Sequence, residues 1–133
     1  MIVVDSYAWV EYFLGSEKGT KVEKYIESGE AITPSIVLAE IARKYLREGI
    51  DEKEVRKRLD FIVAKSTIIE MDVNLSIEAG KAYLELLEKV RAEKLKAPSL
   101  TDGIILATSR ILKAKIITGD EHFRSLSEVI FME

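Results

Sequence analysis

The feature of this sequence that most constrains its fold is a set of short apolar runs, with little polar alternation, separated by helix-length segments. Such runs are typical of strands buried on both faces, which occur mainly in parallel sheets covered by helices. The sequence therefore predicts an α/β fold with a parallel sheet. The predicted strands are Met1–Val4, Ala31–Thr33, Thr67–Met71, Ile116–Thr118 and Val129–Phe131.

Turn and cap residues mark the helices between these strands. Gly15 is expected to end a first helix, and Asp51 to cap a third one. Pro34 is expected in the first turn of a second helix that runs to Leu46, because its missing N–H costs nothing there. The remaining predictions are a long helix from Asn74, a loop over Arg91–Ala97, and a helix that follows Pro98–Ser99 and ends at Leu112.

Composition excludes several classes of active site. There is no cysteine, and His122 is the only histidine, so we expect neither thiol chemistry nor a His-rich metal site, and any active site is expected to use oxygen chemistry. The net charge of -3 gives no overall basic surface for nucleic acid. The 133 residues, 47% of them hydrophobic, predict one domain over residues 1–133. The lack of a long apolar run or a secretion signal predicts a soluble, cytoplasmic protein without a membrane segment.

Two aspartates follow predicted strands. Asp5 comes directly after the first strand, and Asp120 follows the strand Ile116–Thr118 by two residues. In open α/β sheets, ligands bind beyond the carboxyl ends of the strands, at the point where the strand order reverses. If these two strands are neighbours at that point, the two side chains converge there.

Two further acids interrupt apolar helical segments. Glu40 lies within Ile36–Ala42, and Asp102 directly precedes Gly103–Ala107. A buried carboxylate needs a partner, and four acids near one crevice favour a cation. An all-oxygen site suits Mg²⁺ or Mn²⁺. Two such ions activate a water and stabilise the leaving oxygen of a phosphodiester, so the pattern indicates metal-dependent hydrolysis.

Each acid also has a purely structural interpretation. Asp5 is suited to cap a helix, Asp102 to complement a helix dipole, and Asp120 to form a turn. Glu40 is suited to pair with a basic residue three or four positions later. These interpretations stay open for each acid taken alone, and the coincidence of all four is what favours a metal site.

Four segments of the chain resemble PIN-domain nucleases, and most of all the VapC-type toxins of toxin–antitoxin systems. They occur in the family's order and span nearly the whole chain. The segments are Val4–Trp9, Ser35–Ile41, Leu100–Ala107 and Ile117–Phe123. The family often has alanine where Gly103 stands, and the glycine is expected to loosen the start of its helix by about 1 kcal/mol.

The resemblance implies an endoribonuclease that uses Mg²⁺ or Mn²⁺. The implied catalytic and metal-binding acids are Asp5, Glu40, Asp102 and Asp120, with supporting hydroxyls at Ser6 and Thr118. It also implies a three-layer α/β/α fold with a parallel sheet of about five strands in the order 3-2-1-4-5. The implied partners are an RNA substrate, a second copy in a homodimer, and a cognate antitoxin that covers the site. Two alternatives stay open: an RNA-processing PIN nuclease without an antitoxin, and a PIN-like module that binds RNA or protein without cutting.

Two sets of side chains are candidates for contacts with partners. A basic set offers an edge for RNA phosphates, although a solvated helix face has the same pattern. The set consists of Arg43, Lys44, Arg47, Lys53, Arg56, Lys57 and Arg58. The aromatic residues Trp9, Tyr12 and Phe13 are suited to an interface, but we expect most of them in the core.

Other α/β functions lack their required residues. A receiver domain needs a second acid where Ser6 follows the first strand. A phosphatase with an aspartyl nucleophile needs an acid at Tyr7, two residues after Asp5. A dinucleotide-binding module needs a Gly-x-Gly-x-x-Gly motif, and none is present.

Overall fold

Five strands alternate with six α-helices and one short 3₁₀ helix in the computed structural model, which describes residues 1–133. The strands are β1 (Ile2–Val4), β2 (Ala31–Pro34), β3 (Thr67–Ile69), β4 (Lys115–Thr118) and β5 (Val129–Phe131). The helices are α1 (Ser6–Leu14), α2 (Glu17–Glu27), α3 (Ser35–Arg47), α4 (Glu52–Lys65), α5 (Val73–Glu93) and α6 (Leu100–Leu112), and the 3₁₀ helix is Glu121–Phe123. None of these helices combines the length and the apolar character needed to cross a bilayer.

The strands form one parallel sheet in the order β3-β2-β1-β4-β5, flanked by the helices. This confirms the α/β class and the order 3-2-1-4-5. The order reverses between β1 and β4, because the chain moves outwards from β1 through β2 to β3 and then returns beside β1. Val4 of β1 pairs with Ile117 of β4. The next residues, Asp5 and Thr118, are therefore neighbours at the carboxyl ends of the two strands.

The centre of the sheet is fully covered. Both β1 and the segment Ile116–Thr118 are buried, which explains their apolar character without alternation. Trp9 of α1 is also fully buried, and its Nε1 donates a hydrogen bond to Thr33 Oγ1 at 3.1 Å. An aromatic cluster between α1 and α4 comprises Trp9, Tyr12, Phe13 and Phe61. Trp9 is therefore a core residue, whereas Tyr12 and Phe13 are half-buried.

Some helix boundaries differ from the predictions. Pro34 has extended backbone and is the last residue of β2, so α3 begins after it. Helix α5 begins at Val73 rather than Asn74, because the side chain of Asp72 caps its first turn. The same helix continues to Glu93, into the predicted loop, because its apolar face stays buried through its last turns.

The sequence analysis missed helix α2, which lies between the first two predicted strands. Gly19 lies where α2 crosses α1, and a Cβ atom there would stand 2.3 Å from the Glu11 carbonyl oxygen. This close backbone approach, together with the burial of Val22 and Ile26 on one face of α2, holds the helix in place. Two predicted helix ends are confirmed. Gly15 ends α1 in the left-handed conformation, with φ of 67°, and Asp51 caps the start of α4.

Gly103 has a packing role in addition to its expected effect on the helix start. It lies where α6 packs on α5, and a Cβ atom there would stand 2.7 Å from the Ala79 carbonyl oxygen and 2.9 Å from Tyr83 Cβ. The glycine therefore permits close packing of the two helices, and it does not simply loosen the start of α6.

Candidate metal-binding active site

The predicted acids meet at the carboxyl ends of β1 and β4. Asp5 caps α1, and its Oδ1 accepts the Ala8 N–H at 2.9 Å. The Thr118 hydroxyl donates to Asp5 Oδ2 and accepts the Asp120 N–H at 3.0 Å. One buried hydroxyl thus positions an aspartate from each of two neighbouring strands, as the sheet order requires.

Asp5 is buried, with only 5% of its surface exposed. Burial raises the pKa of Asp5 to about 7, while the hydrogen bonds from Thr118 and Ala8 act in the opposite direction. The nearby charges of Asp120 and Asp102 raise the pKa further. A cation beside this carboxylate would favour its ionised form.

Asp102 reaches the site from the first turn of α6. Its Oδ2 accepts the Ser99 N–H at 2.9 Å, and Ser99 Oγ accepts the Asp102 N–H at 3.2 Å, which forms a capping box. Burial raises the pKa of Asp102, the Ser99 N–H lowers it, and the charge of Asp120 raises it again. Asp102 is therefore a helix cap and, at the same time, a member of the acidic cluster.

Glu40 and Ser6 approach from α3 and α1. Glu40 is half-buried, and burial raises its pKa, whereas a hydrogen bond with the Ser6 hydroxyl lowers it. The charges of Asp102 and Asp120 raise the pKa of Glu40 as well. The fold therefore brings all four predicted acids within electrostatic reach of one another.

None of these four acids forms an ion pair with a lysine or arginine. Lys44, a candidate partner for Glu40, instead pairs with Glu48 at 2.5 Å on the exposed side of α3. The ion-pair interpretation of Glu40 is therefore not supported.

His122 joins the acidic cluster, which the sequence analysis did not predict. The 3₁₀ helix begins at Asp120, whose Oδ1 accepts the His122 N–H at 2.9 Å and turns the imidazole back to the site. Nδ1 of the ring lies 2.9 Å from Asp120 Oδ1 and 3.2 Å from Asp102 Oδ2. Nε2 lies 2.9 Å from the Lys96 carbonyl oxygen. The only sequence feature that could have indicated His122 as a site residue is its position two residues after Asp120.

Asp102, Asp120 and His122 form a group whose ligand atoms all lie within 4.8 Å of one another. Nδ1 of His122 is buried and has no hydrogen-bond partner, although two carboxylates face it. Two carboxylates and one unpaired imidazole nitrogen fit a divalent cation. Asp5 and Glu40 lie outside this group of three.

Comparison with known proteins places this chain in a family. The family model described as the PIN domain matches residues 2–129. The chain belongs to the PIN domain family. This confirms the resemblance found in the sequence. No curated protein matches the chain.

Solved structures similar to this PIN domain come from several bacteria. A chain in a toxin–antitoxin complex from Klebsiella pneumoniae has a TM-score of 0.67 and 17% identity, with 100% of this chain and 98% of that chain covered. A chain of VapBC2 from Rickettsia felis, bound to a DNA fragment from its promoter, has a TM-score of 0.70 and 17% identity. The match covers 98% of this chain and 97% of that chain. VapC20 from Mycobacterium tuberculosis, a sarcin–ricin loop cleaving toxin, has a TM-score of 0.67 and 16% identity, and the match covers 92% of each chain. At these identities the likeness shows the fold.

A groove of about 420 Å³ extends from the acidic cluster of the PIN domain between α1 and α3. Its lining includes Ser6, Tyr7, Glu40, Arg43, Lys44 and Asp120. Of the seven predicted basic residues, only Arg43 and Lys44 line it. Two on α4 instead pair with acids one turn earlier, Arg56 with Glu52 and Arg58 with Glu54. The structure therefore divides the predicted basic set and brings only Arg43 and Lys44 to the groove beside the site.

Proposed function

We propose that this PIN domain, over residues 1–133, is a metal-dependent endoribonuclease and the toxin of a toxin–antitoxin pair. The observation that carries the proposal is the acidic cluster at the switch point of the sheet. Its carboxylates are buried or half-buried, and none of them forms an ion pair with a lysine or arginine. Such a cluster is unfavourable unless a cation joins it.

A divalent cation, Mg²⁺ or Mn²⁺, would supply Lewis acidity toward a phosphodiester and would lower the pKa of a water molecule. We assign Asp102 and Asp120 as the residues that hold it, because their oxygens lie in the group of three ligand atoms. Asp5 and Glu40 complete the acidic set. The Thr118 hydroxyl fixes the orientation of Asp5 through a direct hydrogen bond.

The remaining polar residues would position water and substrate. Glu40 lines the groove together with Ser6, whose hydroxyl lowers the pKa of Glu40. In this proposal Glu40 orients the attacking water and takes its proton at a carboxylate oxygen. Arg43 and Lys44 line the groove beside Glu40, where they would contact backbone phosphates of the RNA.

Cleavage of labelled single-stranded and structured RNAs tests the nuclease. We expect products with Mg²⁺ or Mn²⁺, none with chelator, and none from Asp120→Asn or Asp5→Asn. Glu121→Gln is the matched control, because Glu121 is exposed, adjoins Asp120 and pairs only with Arg124. Metal-independent cleavage, or full activity in Asp120→Asn, would contradict the proposal.

The toxin assignment is supported by similar structures, since one is a toxin–antitoxin complex and another is a sarcin–ricin loop cleaving toxin. We propose an RNA substrate in the cytoplasm, a homodimer and a cognate antitoxin. Induced expression in a bacterial host should arrest growth, and Asp120→Asn should relieve the arrest. Analytical ultracentrifugation of the purified chain measures its mass in solution, and we expect the mass of a dimer. RNA cleavage without growth arrest would instead favour an RNA-processing PIN nuclease.

A further inference from the structure

The environment of His122 defines which ring nitrogen carries hydrogen. Nε2 lies 2.9 Å from the Lys96 carbonyl oxygen, and a carbonyl oxygen can only accept. Nε2 is therefore the donor in this contact. In the neutral imidazole the other nitrogen, Nδ1, then presents a lone pair.

That lone pair is directed into the acidic cluster. Nδ1 lies 2.9 Å from Asp120 Oδ1 and 3.2 Å from Asp102 Oδ2, and it has no hydrogen-bond partner. Three electron-rich atoms facing one another repel unless a proton or a metal cation lies among them. The ring is also arranged as metal-binding histidines usually are, because its second nitrogen donates to a backbone carbonyl that fixes its orientation.

We propose that Nδ1 of His122 is a ligand of the cation held by Asp102 and Asp120, and that this nitrogen makes the site select Mn²⁺ over Mg²⁺. The inference rests on the proposed metal-dependent nuclease and adds a ligand to its acids. Mg²⁺ is bound almost entirely through oxygen, whereas imidazole nitrogen is a ligand for first-row transition metals. A set of two carboxylates and one imidazole therefore favours the transition metal.

Calorimetric titration with Mn²⁺ alone and with Mg²⁺ alone tests the selectivity without any RNA. We expect wild type to bind Mn²⁺ at least about 10-fold more tightly than Mg²⁺, and His122→Phe to weaken Mn²⁺ binding by about 10-fold or more. Mg²⁺ binding should change by less than about threefold in His122→Phe, because that ion gains little from the nitrogen. Thermal unfolding in metal-free buffer verifies that the variant folds.

His122→Asn is the second variant, since the asparagine side chain can place an oxygen near the position of Nδ1. We expect it to bind both ions and to lose most of the preference for Mn²⁺. The two affinities of His122→Asn distinguish loss of the nitrogen ligand from a general disturbance of the 3₁₀ helix. Such a disturbance would weaken the binding of Mn²⁺ and of Mg²⁺ equally.

Pulsed EPR of the Mn²⁺-loaded protein identifies the ligand directly. Wild type should show nitrogen hyperfine coupling from an imidazole, and His122→Phe should lack it. Mn²⁺ binding without this coupling, at an affinity that His122→Phe leaves unchanged, would overturn the inference and leave the proposed nuclease intact. Absence of binding of either ion to the wild type would overturn both.

Discussion

Two charged regions at opposite ends of the sheet accommodate carboxylates in different ways. At the amino ends of β4 and β5, Arg110 makes a two-pronged contact with Glu85 at 2.6 and 2.8 Å and also contacts Glu128 at 3.3 Å. The Arg110 hydrogen bonds lower the pKa of Glu85. At the carboxyl ends, burial raises the pKa of Asp5 to about 7, and no lysine or arginine forms an ion pair with the acidic cluster.

The difference lies in the origin of the counter-charge. The Arg110 site contains its own cation, so its carboxylates are neutralised when the chain folds. The acidic cluster is oriented by neutral donors, namely the Thr118 hydroxyl and the Ala8 and Ser99 N–H groups. Neutral donors fix the direction of a carboxylate without cancelling its charge. In the proposed function a cation from solution neutralises the cluster, whereas the Arg110 site contains its own cation.

Neutralising one acid in each region should give the largest contrast. We expect Asp102→Asn to reduce RNA cleavage at least about 100-fold, because loss of a metal ligand removes several kcal/mol of transition-state stabilisation. Glu85→Gln should leave cleavage unchanged. The asparagine oxygen can still accept the Ser99 N–H, so the metal-free unfolding free energy of Asp102→Asn should change by less than about 1 kcal/mol. A much less stable Asp102→Asn would show that Asp102 serves mainly as a helix cap.

The two regions should respond to pH with opposite signs. The pKa of Asp5 is about 7 in the folded chain against an ordinary value of 3.8, so its contribution to metal-free stability is present at low pH and is lost as pH rises through 7. The effect is on the order of a few kcal/mol at most. Glu85 has a lowered pKa, so its contribution is lost on acidification instead.

Urea unfolding in metal-free buffer from about pH 3 to about pH 7.5 measures both slopes, since the contribution of Glu85 is lost only below its ordinary pKa of 4.5. Asp5→Asn should reduce the fall in stability toward neutral pH and leave the part that the raised pKa values of Asp102 and Glu40 contribute. Glu85→Gln should retain that fall. An identical slope in wild type and Asp5→Asn would show that Asp5 is not the group responsible.

Two neighbouring glycines of the α5 and α6 pair differ in how closely they are packed. Next to Asp102, Gly103→Ala would force a Cβ atom to within 2.7 Å of the Ala79 carbonyl oxygen, so we expect a loss of about 1–3 kcal/mol of unfolding free energy. At Gly80, also on α5, an added Cβ atom would have no heavy atom within 4 Å, and Gly80→Ala should stabilise the chain by up to about 1 kcal/mol. Equal effects of the two substitutions in urea unfolding would show that close packing at Gly103 does not matter.

Removing the cation of the Arg110 site should have the smallest effect. Arg110→Met breaks a pair whose side chains are 37% and 56% exposed, and such pairs contribute up to about 1 kcal/mol. Mn²⁺ affinity should stay the same, because the site lies at the other end of the sheet. A changed Mn²⁺ affinity in calorimetry would show that the two regions are coupled.

Local patterns predicted a large part of the fold and the site. The apolar runs gave all five strands, and the position of Asp5 and Asp120 after two of them predicted their convergence. Helix α2 was missed although its sequence carries a helix signal, since Ser16 caps it and Val22 and Ile26 lie one turn apart on its buried face. His122 was missed because a lone histidine has no pattern of its own.

The sequence by itself determined the strands, most of the helices, and the place of each acid at a strand end or in an apolar helix. These features depend on residues a few positions apart, so periodicity and cap chemistry suffice. Only the tertiary structure decided which groups meet. Thr118 contacts Asp5 across 113 residues of chain, and His122 contacts Lys96 across 26. Such contacts follow from sheet order and helix packing, and a backbone carbonyl such as that of Lys96 has no signature in the sequence.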